Sequence, residues 1–278
     1  VTTEYSDWAT NCPEYKVTAV QVARSNGPSE WQEEYAAQAR TPSDGPTGTT
    51  NTEVVREERR RSALSFSDWL GADVRVEIGV GLDRWVDRGP HVSLEGSLET
   101  RWAGDRLSLR AGAARWIGLA SGVPFGTGDV LITWSSSGLE QRDAWQGCLG
   151  VSSASSRAPL ALWSGAGTGN GRAPLLRAHP LLSGGIVQGR VFGRALAHAT
   201  VERQVWPWNM GPLRVGWALF ADGAKPWDTG RLERIPWQAD VGTGLRMRVL
   251  GANGQLRIDA ARALDDGTSV VSIGWQVP

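Results

Sequence analysis

Three histidines and two cysteines are the residues of this 278-residue chain best suited to metal binding, nucleophilic catalysis or redox chemistry. His91, His179 and His198 are far apart in the sequence and show no HExxH or similar ligand spacing. Cys12 and Cys148 stand in distant parts of the chain, outside CxxC spacing, and whether they pair is left open. We therefore predict that the protein holds no metal and no cofactor.

The serines and carboxylates give no pattern of a catalytic site. The chain has no GxSxG nucleophile elbow, and no two carboxylates are marked by their spacing as an acid and base pair. We therefore predict that the protein is not an enzyme.

A long glycine-rich connection over residues 165–194 is the most irregular part of the sequence, and it includes Arg177, His179, Arg190 and Arg194. Its glycines match GxGxxG superficially, but a nucleotide fingerprint needs a following helix, and no amphipathic helix follows. Structureless connections longer than about 15 residues are usually functional or disordered. We predict no nucleotide site here.

The segments around this connection alternate strictly between apolar and polar residues, which predicts β-strands. One face is apolar and the other is rich in charge, a distribution that a dry soluble core would not accept. It is typical of strands that place one face against lipid and the other against a wet lumen. We expect lipid contact at Val74, Val76, Ile78, Val80, Leu245, Ile258, Ile273 and Trp275. We expect Arg75, Glu77, Arg246, Arg248, Arg257 and Asp259 to face the lumen.

The predicted fold is an all-β transmembrane antiparallel β-barrel of about 12 strands, or up to 16 if other strands complete it. The 35 glycines and the mean hydropathy of −0.28 suit such a barrel. The 15 tryptophans suit interfacial girdles, with candidates at Trp85, Trp102, Trp116, Trp134, Trp206, Trp208, Trp227 and Trp237. A soluble β-sandwich or β-solenoid is the alternative architecture.

Charge and composition divide the chain and limit its partners. The 29 basic residues balance 29 acidic ones, so nothing indicates a nucleic-acid footprint. Residues 1–63 combine proline, glycine and charge runs and are predicted to be a polar, partly flexible extension. Residues 64–278 are predicted to be the barrel.

The order of motifs over roughly residues 175–275 resembles the outer-membrane surface-antigen barrels, the superfamily of BamA, TamA and the two-partner-secretion transporters. A glycine-rich loop is followed by a strand bearing Glu202, then a Phe-x-Asp strand over 220–222. A Gly-x-Gly-Leu-Arg strand over 242–246, a Leu-Arg-x-Asp strand over 256–259 and a Ser-Ile-Gly-Trp strand over 272–275 complete the series. The nearest counterpart of the family's loop motif is the stretch 187–190, where the arginine is displaced.

The resemblance implies a bacterial outer-membrane barrel that serves as a protein insertase or translocation barrel, or as a structural subunit of a larger membrane assembly. It implies partners among outer-membrane lipid, other subunits and exported client polypeptides. It also implies that a loop arginine folds into the lumen and pairs with the wall, with Arg190 or Arg194 as the arginine and Asp222 and Glu202 as the acids. Two alternatives of other classes stay open: a passive porin-like channel, and a soluble tryptophan-rich carbohydrate-binding β-protein.

Overall fold

The structure is a computed structural model. It describes residues 19–23, 35–40, 52–57, 59–85, 88–104, 106–119, 122–136, 143–167, 176–179, 182–183, 186–187, 191–227, 235–249 and 254–276. None of the helical residues in these ranges forms a segment long and apolar enough to cross a membrane.

Long antiparallel strands make up most of the described chain. The twelve that form the main sheet are β1 (Ala19–Ala23), β4 (Arg59–Leu70), β5 (Val74–Trp85), β6 (Gly89–Trp102), β7 (Leu107–Gly118), β8 (Phe125–Ser135), β9 (Asp143–Ala154), β14 (Ala195–Met210), β15 (Leu213–Trp227), β16 (Gln238–Val249), β17 (Gln255–Ala263) and β18 (Ser269–Gln276). Six shorter strands are β2 (Tyr35–Arg40), β3 (Thr52–Glu57), β10 (Ser164–Gly165), β11 (Leu182–Ser183), β12 (Ile186–Val187) and β13 (Phe192–Gly193).

Neighbours in the main sheet follow the chain, so nearly every strand pairs with the one before it through a hairpin. There are two exceptions: β2 and β3 lie between β1 and β4 in the chain, and the connection between β9 and β14 carries the long glycine-rich loop. The first and last strands of the sheet are β1 and β18, and the described residues include no pairing between them. The predicted antiparallel all-β fold is confirmed.

Alternation of exposure along the strands defines an outer and an inner face. In β14, the side chains from Leu196 to Trp206 at every second position are buried, and those between them are more exposed. Apolar side chains dominate the exposed face, including Ile78, 59% exposed, and Ile273, 71% exposed. Polar and charged side chains such as Asp83 and Arg246 are fully buried on the other face. The sheet is therefore apolar outside and polar inside.

Part of the connection between β9 and β14 packs against inner-face residues of strands that are far apart in the sheet. Trp163 packs against a cluster containing Trp85, Trp116 and Phe125 of β5, β7 and β8. It also packs against a cluster containing Leu196 and Ala224 of β14 and β15. A single segment can reach both groups of strands only if the sheet curves around it. The β9–β14 connection thus lies on the inner side of the curved sheet.

The strand ends form two rims. The long-loop rim contains the β5–β6, β7–β8, β9–β14, β15–β16 and β17–β18 connections. The opposite rim contains the β4–β5, β6–β7, β8–β9, β14–β15 and β16–β17 hairpins. Five exposed tryptophans on the outer face lie near the opposite rim: Trp102, Trp134, Trp145, Trp208 and Trp275. Trp227 and Trp237, also exposed, lie at the long-loop rim.

Several expectations differ from the structure. The sequence also predicts a strand at about 158–166, and this prediction is wrong: Pro159 precedes a 3-10 turn at Leu160–Leu162, and only the short β10 follows. The girdle positions expected at Trp85, Trp116 and Trp206 are also wrong, because each is 2% exposed and lies on the inner face. The main sheet takes in β1 and the first residues of β4, which precede the expected boundary at residue 64.

Candidate functional site

A four-residue stretch of the long loop, residues 176–179, is buried against the inner face of β14 to β17. Leu176 is fully buried with Val191, Phe192 and Leu196, and its backbone N–H donates to the carbonyl of Ala166. Ala178 is fully buried with Phe220, Ala261 and Ala263. These apolar contacts on both sides place the side chain of Arg177 between them.

Arg177 forms ion pairs with carboxylates of three strands. Its Nη1 lies 2.8 Å from Oε2 of Glu202 on β14 and 3.7 Å from Oδ2 of Asp259 on β17. Its Nε lies 3.2 Å from Oδ2 of Asp222 on β15. The guanidinium also lies 3.7 Å from the ring centroid of Phe220, a cation–π contact. The loop is thereby joined to the wall by charge at several points.

Two wall arginines complete the group that we call the ion cluster, which consists of Arg177, Arg246, Arg257, Glu202, Asp222 and Asp259. Arg246 Nη2 lies 2.9 Å from Glu202 Oε1, and its Nη1 donates to Asp259 Oδ1 at 2.5 Å. Arg257 Nη2 donates to Asp259 Oδ2 at 2.8 Å. All six side chains are buried. Three cations therefore face three carboxylates, and burial of charge at this density requires such a balance.

Glycine in β16 makes room for the ion cluster. A Cβ at Gly244 would overlap Asp259 Oδ1 and Nη1 of Arg246. A Cβ at Gly242 would overlap the ring of Phe220, on which Arg177 stacks. The Gly-x-Gly-Leu-Arg motif thus supplies both an arginine of the ion cluster and the space that it occupies.

A second contact holds the same stretch of loop beside the ion cluster. Asp240 of β16 is fully buried, and its Oδ2 accepts the backbone N–H of Ala178 at 2.6 Å. The ring of His179 lies with Nδ1 2.7 Å from Asp240 Oδ1 and Nε2 3.0 Å from Asp265 Oδ1. Burial tends to lower the pKa of His179, but its hydrogen bonds to Asp240 and Asp265 and their charges raise that pKa above its ordinary value. The protonated ring then donates to both carboxylates.

His179 is also the one described histidine near enough to two carboxylates to suggest a cation site. Ligand atoms of His179, Asp265 and Asp266 lie within 4.8 Å of one another. The hydrogen bonds of His179 to Asp240 and Asp265 account for both of its ring nitrogens. The arrangement is therefore that of an imidazole clasped between carboxylates.

The structure brings together two of the four residues expected to join loop and wall. Glu202 and Asp222 lie side by side on the inner face and share Arg177. Arg194 lies instead with its guanidinium 5.7 Å from the ring centroid of Trp163. Arg190 lies outside the described residues. The arginine that reaches both acids was missed, although its setting offered a signal: it stands between apolar Leu176 and small Ala178, which are suited to burial.

The residues expected to contact lipid all lie on the outer face of their strands. Ile78, Val80, Leu245, Ile273 and Trp275 are exposed, and Val74, Val76 and Ile258 are half-buried. The residues expected to face the lumen lie on the inner face, where Arg246, Arg257 and Asp259 are buried and Arg75, Glu77 and Arg248 are half-buried.

An antiparallel sheet with an apolar exterior, a charged interior and an inserted loop defines the β-barrel class of fold. Similarity to a solved structure supports this assignment: the BamA of Haemophilus ducreyi lacking POTRA domains 1–3 matches with a TM-score of 0.57 and 12% sequence identity. The match covers 87% of this chain and 57% of that one, so the chain spans a little over half the length of the BamA structure.

At this identity, the likeness concerns the fold alone. No family model matches the sequence, and no curated protein matches it.

Proposed function

We propose that the chain is a non-enzymatic β-barrel of the bacterial outer membrane, of the surface-antigen type, in which the long loop is locked to the inner wall through Arg177. The role that follows is a protein insertase or translocation barrel, or a structural subunit of a larger membrane assembly. Its partners are outer-membrane lipid together with client polypeptides or other subunits.

The ion pairs of Arg177 with Glu202 and Asp222 are the observation that carries this proposal. The family resemblance names a loop arginine, a glutamate strand and a Phe-x-Asp strand as the parts of such a lock. Here an arginine that is 2% exposed lies 2.8 Å from that glutamate and 3.2 Å from that aspartate. Because the carboxylates belong to wall strands and the arginine to the loop, the contact fixes the loop inside the barrel.

The exposed face supports a membrane setting on physical grounds. A surface with exposed isoleucine, leucine, valine and tryptophan on nearly every strand would aggregate in water. Hydrogen-bonded hairpins satisfy the backbone without water, as a bilayer requires. The tryptophans near the opposite rim lie where aromatic side chains meet lipid headgroups.

The position of the loop argues against a passive porin. Trp163, Leu176 and Arg177 fill interior space between the two groups of strands. We expect little conductance from the wild-type protein in planar bilayers. Steady ohmic channels of porin size would favour the porin alternative instead.

The test of function is an assay of client insertion. Vesicles containing the protein should speed the folding of an unfolded outer-membrane barrel client, measured as the fraction that becomes heat-modifiable on a gel, over protein-free vesicles. The Arg177→Ala variant should lose this acceleration, and the Arg203→Gln variant, changed on the outer face, should keep it. Equal client folding with and without the wild-type protein would exclude the insertase role and leave the structural one.

A further inference from the structure

The charged residues on the outer face differ between the two rims. Near the long-loop rim, four of the outward side chains that the structure describes are basic: Arg84, Arg115, Lys225 and Arg262. Each lies within three residues of its strand's end, and its inward neighbours include buried residues such as Trp85, Trp116, Ala224 and Ala263. The outward strand positions that the structure describes near this rim carry no acidic residue.

The opposite rim is charged differently. On the strands that the structure describes there, the outward charges are Asp68 on β4 and the pair Arg203 and Asp143 on β14 and β9. Arg203 donates from Nε and Nη2 to the two carboxylate oxygens of Asp143, at 3.1 and 2.6 Å. The arginine at this rim is therefore neutralised by a protein carboxylate.

The basic residues of the long-loop rim have no such partner within the part of the chain that the structure describes. Among the described residues, Arg84, Arg115, Lys225 and Arg262 make neither ion pair nor hydrogen bond. The three arginines are exposed, and Lys225 is half-buried. The charged group of an unpaired basic side chain on an apolar exterior needs an anion or water beside it. Long basic side chains at strand ends can place that group at the membrane surface.

Arg115 shows what kind of anion fits. It borders a shallow trough on the outer face lined by Leu94, Ala113, Gly126, Gly128 and Ser153. Small residues there leave a mostly apolar trough across β6 to β9, with Arg115 among its lining residues near the long-loop rim. The apolar lining suits acyl chains and the arginine suits a phosphate, because guanidinium and phosphate form charge-assisted, bidentate hydrogen bonds.

We propose that the four basic residues bind the phosphate groups of anionic membrane lipids, with Arg115 and its trough as the best-formed site. This inference rests on the proposed membrane location and adds to it a lipid class and an orientation. The long-loop rim then lies at the leaflet whose headgroups are the more anionic.

The test measures lipid preference by tryptophan fluorescence. The protein is reconstituted in phosphatidylcholine vesicles, and brominated phosphatidylcholine or brominated phosphatidylglycerol is titrated in; Trp227 and Trp237 report at the long-loop rim. We expect wild type to prefer phosphatidylglycerol by about five-fold, the effect of one basic contact near a charged surface. The preference should fall as salt is added.

Variants test whether the four basic residues cause the preference for phosphatidylglycerol. With Arg84, Arg115, Lys225 and Arg262 all changed to glutamine, the preference should drop to about one, and Arg115→Gln alone should remove much of it. The control with Arg203→Gln and Asp143→Asn, at the opposite rim, should keep the wild-type ratio. An unchanged ratio in the four-fold variant would overturn the proposal, as would reversal by millimolar inorganic phosphate at constant ionic strength, which would indicate a site for soluble phosphate.

The outcomes also separate this inference from the proposed function. Quenching by brominated phosphatidylcholine without any preference for phosphatidylglycerol would leave the membrane barrel standing and reject the lipid site. The absence of quenching by either lipid would reject both.

Discussion

Replacing Arg177 with alanine should destabilise the folded barrel more than any other single change in the loop. The variant leaves two arginines facing three buried carboxylates and removes the contacts of Glu202 and Asp222 with the loop. Removing one partner of a buried ion pair typically costs about 3 to 5 kcal/mol. The Arg177→Lys variant keeps the charge but not the planar guanidinium that spans two carboxylates, so we expect an intermediate loss.

The assay is denaturant unfolding in lipid vesicles, followed by tryptophan fluorescence and by gel migration. A double-mutant cycle of Arg177→Ala with Glu202→Gln should show coupling of about 0.5 to 3 kcal/mol, because the two side chains are in contact and buried. The matched control is the exposed pair Arg203 and Asp143, 41% and 47% exposed, whose coupling should be smaller, about 0.2 to 1 kcal/mol. Additive effects of Arg177→Ala and Glu202→Gln would refute the loop lock.

Three further predictions concern the wall, its glycines and the histidine clasp. Ile78→Arg on the outer face should cost about 2 to 4 kcal/mol of unfolding free energy in vesicles, and Ser97→Arg on the inner face much less; equal costs would contradict the assignment of faces. Gly244→Ala should cost about 1 to 3 kcal/mol because its Cβ would enter the ion cluster, whereas the control Gly96→Ala, whose Cβ would come no closer than 3.7 Å to another residue, should be nearly neutral; a tolerated Gly244→Ala would argue against the cluster. Because the folded-state pKa of His179 is raised, its contribution to stability should be complete below the ordinary value of 6.5 and should disappear as pH rises through the raised pKa. Unfolding measured from pH 5 to 9 should lose this dependence in His179→Gln, and an identical pH profile in variant and wild type would count against the clasp.

Sequence periodicity was sufficient to predict the strands of the sheet but not the contacts that its inner-face residues make. Alternation such as that from Val74 to Leu82 identifies a two-faced strand because each side chain sees only its own side of the sheet. The β4 strand was harder to find because its first residues are a run of arginines that resembles a solvated loop, although Arg59 donates to the buried carboxylate of Asp83 at 2.8 Å. Such a partner, 24 residues away, leaves no local signal.

The residues of the candidate site were likewise predictable on the strands but not in the loop. Glu202 and Asp222 could be predicted because each belongs to a short sequence motif within its own strand. Arg177 could not, because the register of a long irregular loop against a wall depends on contacts with Leu196, Phe220 and Asp240 that are distant in sequence. Trp85 and Trp116, two of the three inward tryptophans that were misassigned, show a related reason, since tryptophan suits both a membrane interface and an interior cluster.

Cys148 adds a covalent constraint that the sequence left open. It lies on the inner face of β9, 4% exposed, and it is disulfide-bonded. The other cysteine of the chain, Cys12, lies outside the described residues. Protein treated with a thiol alkylating reagent under non-reducing conditions should therefore remain unlabelled at Cys148, and labelling without prior reduction would contradict the bond.

The most direct test of the membrane barrel is electrophoretic migration of the full chain after reconstitution in detergent or vesicles, with and without boiling. A closed barrel resists the gel detergent until it is heated, so the unheated protein should migrate faster than the boiled one. Identical migration of the two samples, from protein that stays soluble without detergent, would contradict the account and favour a soluble β-protein.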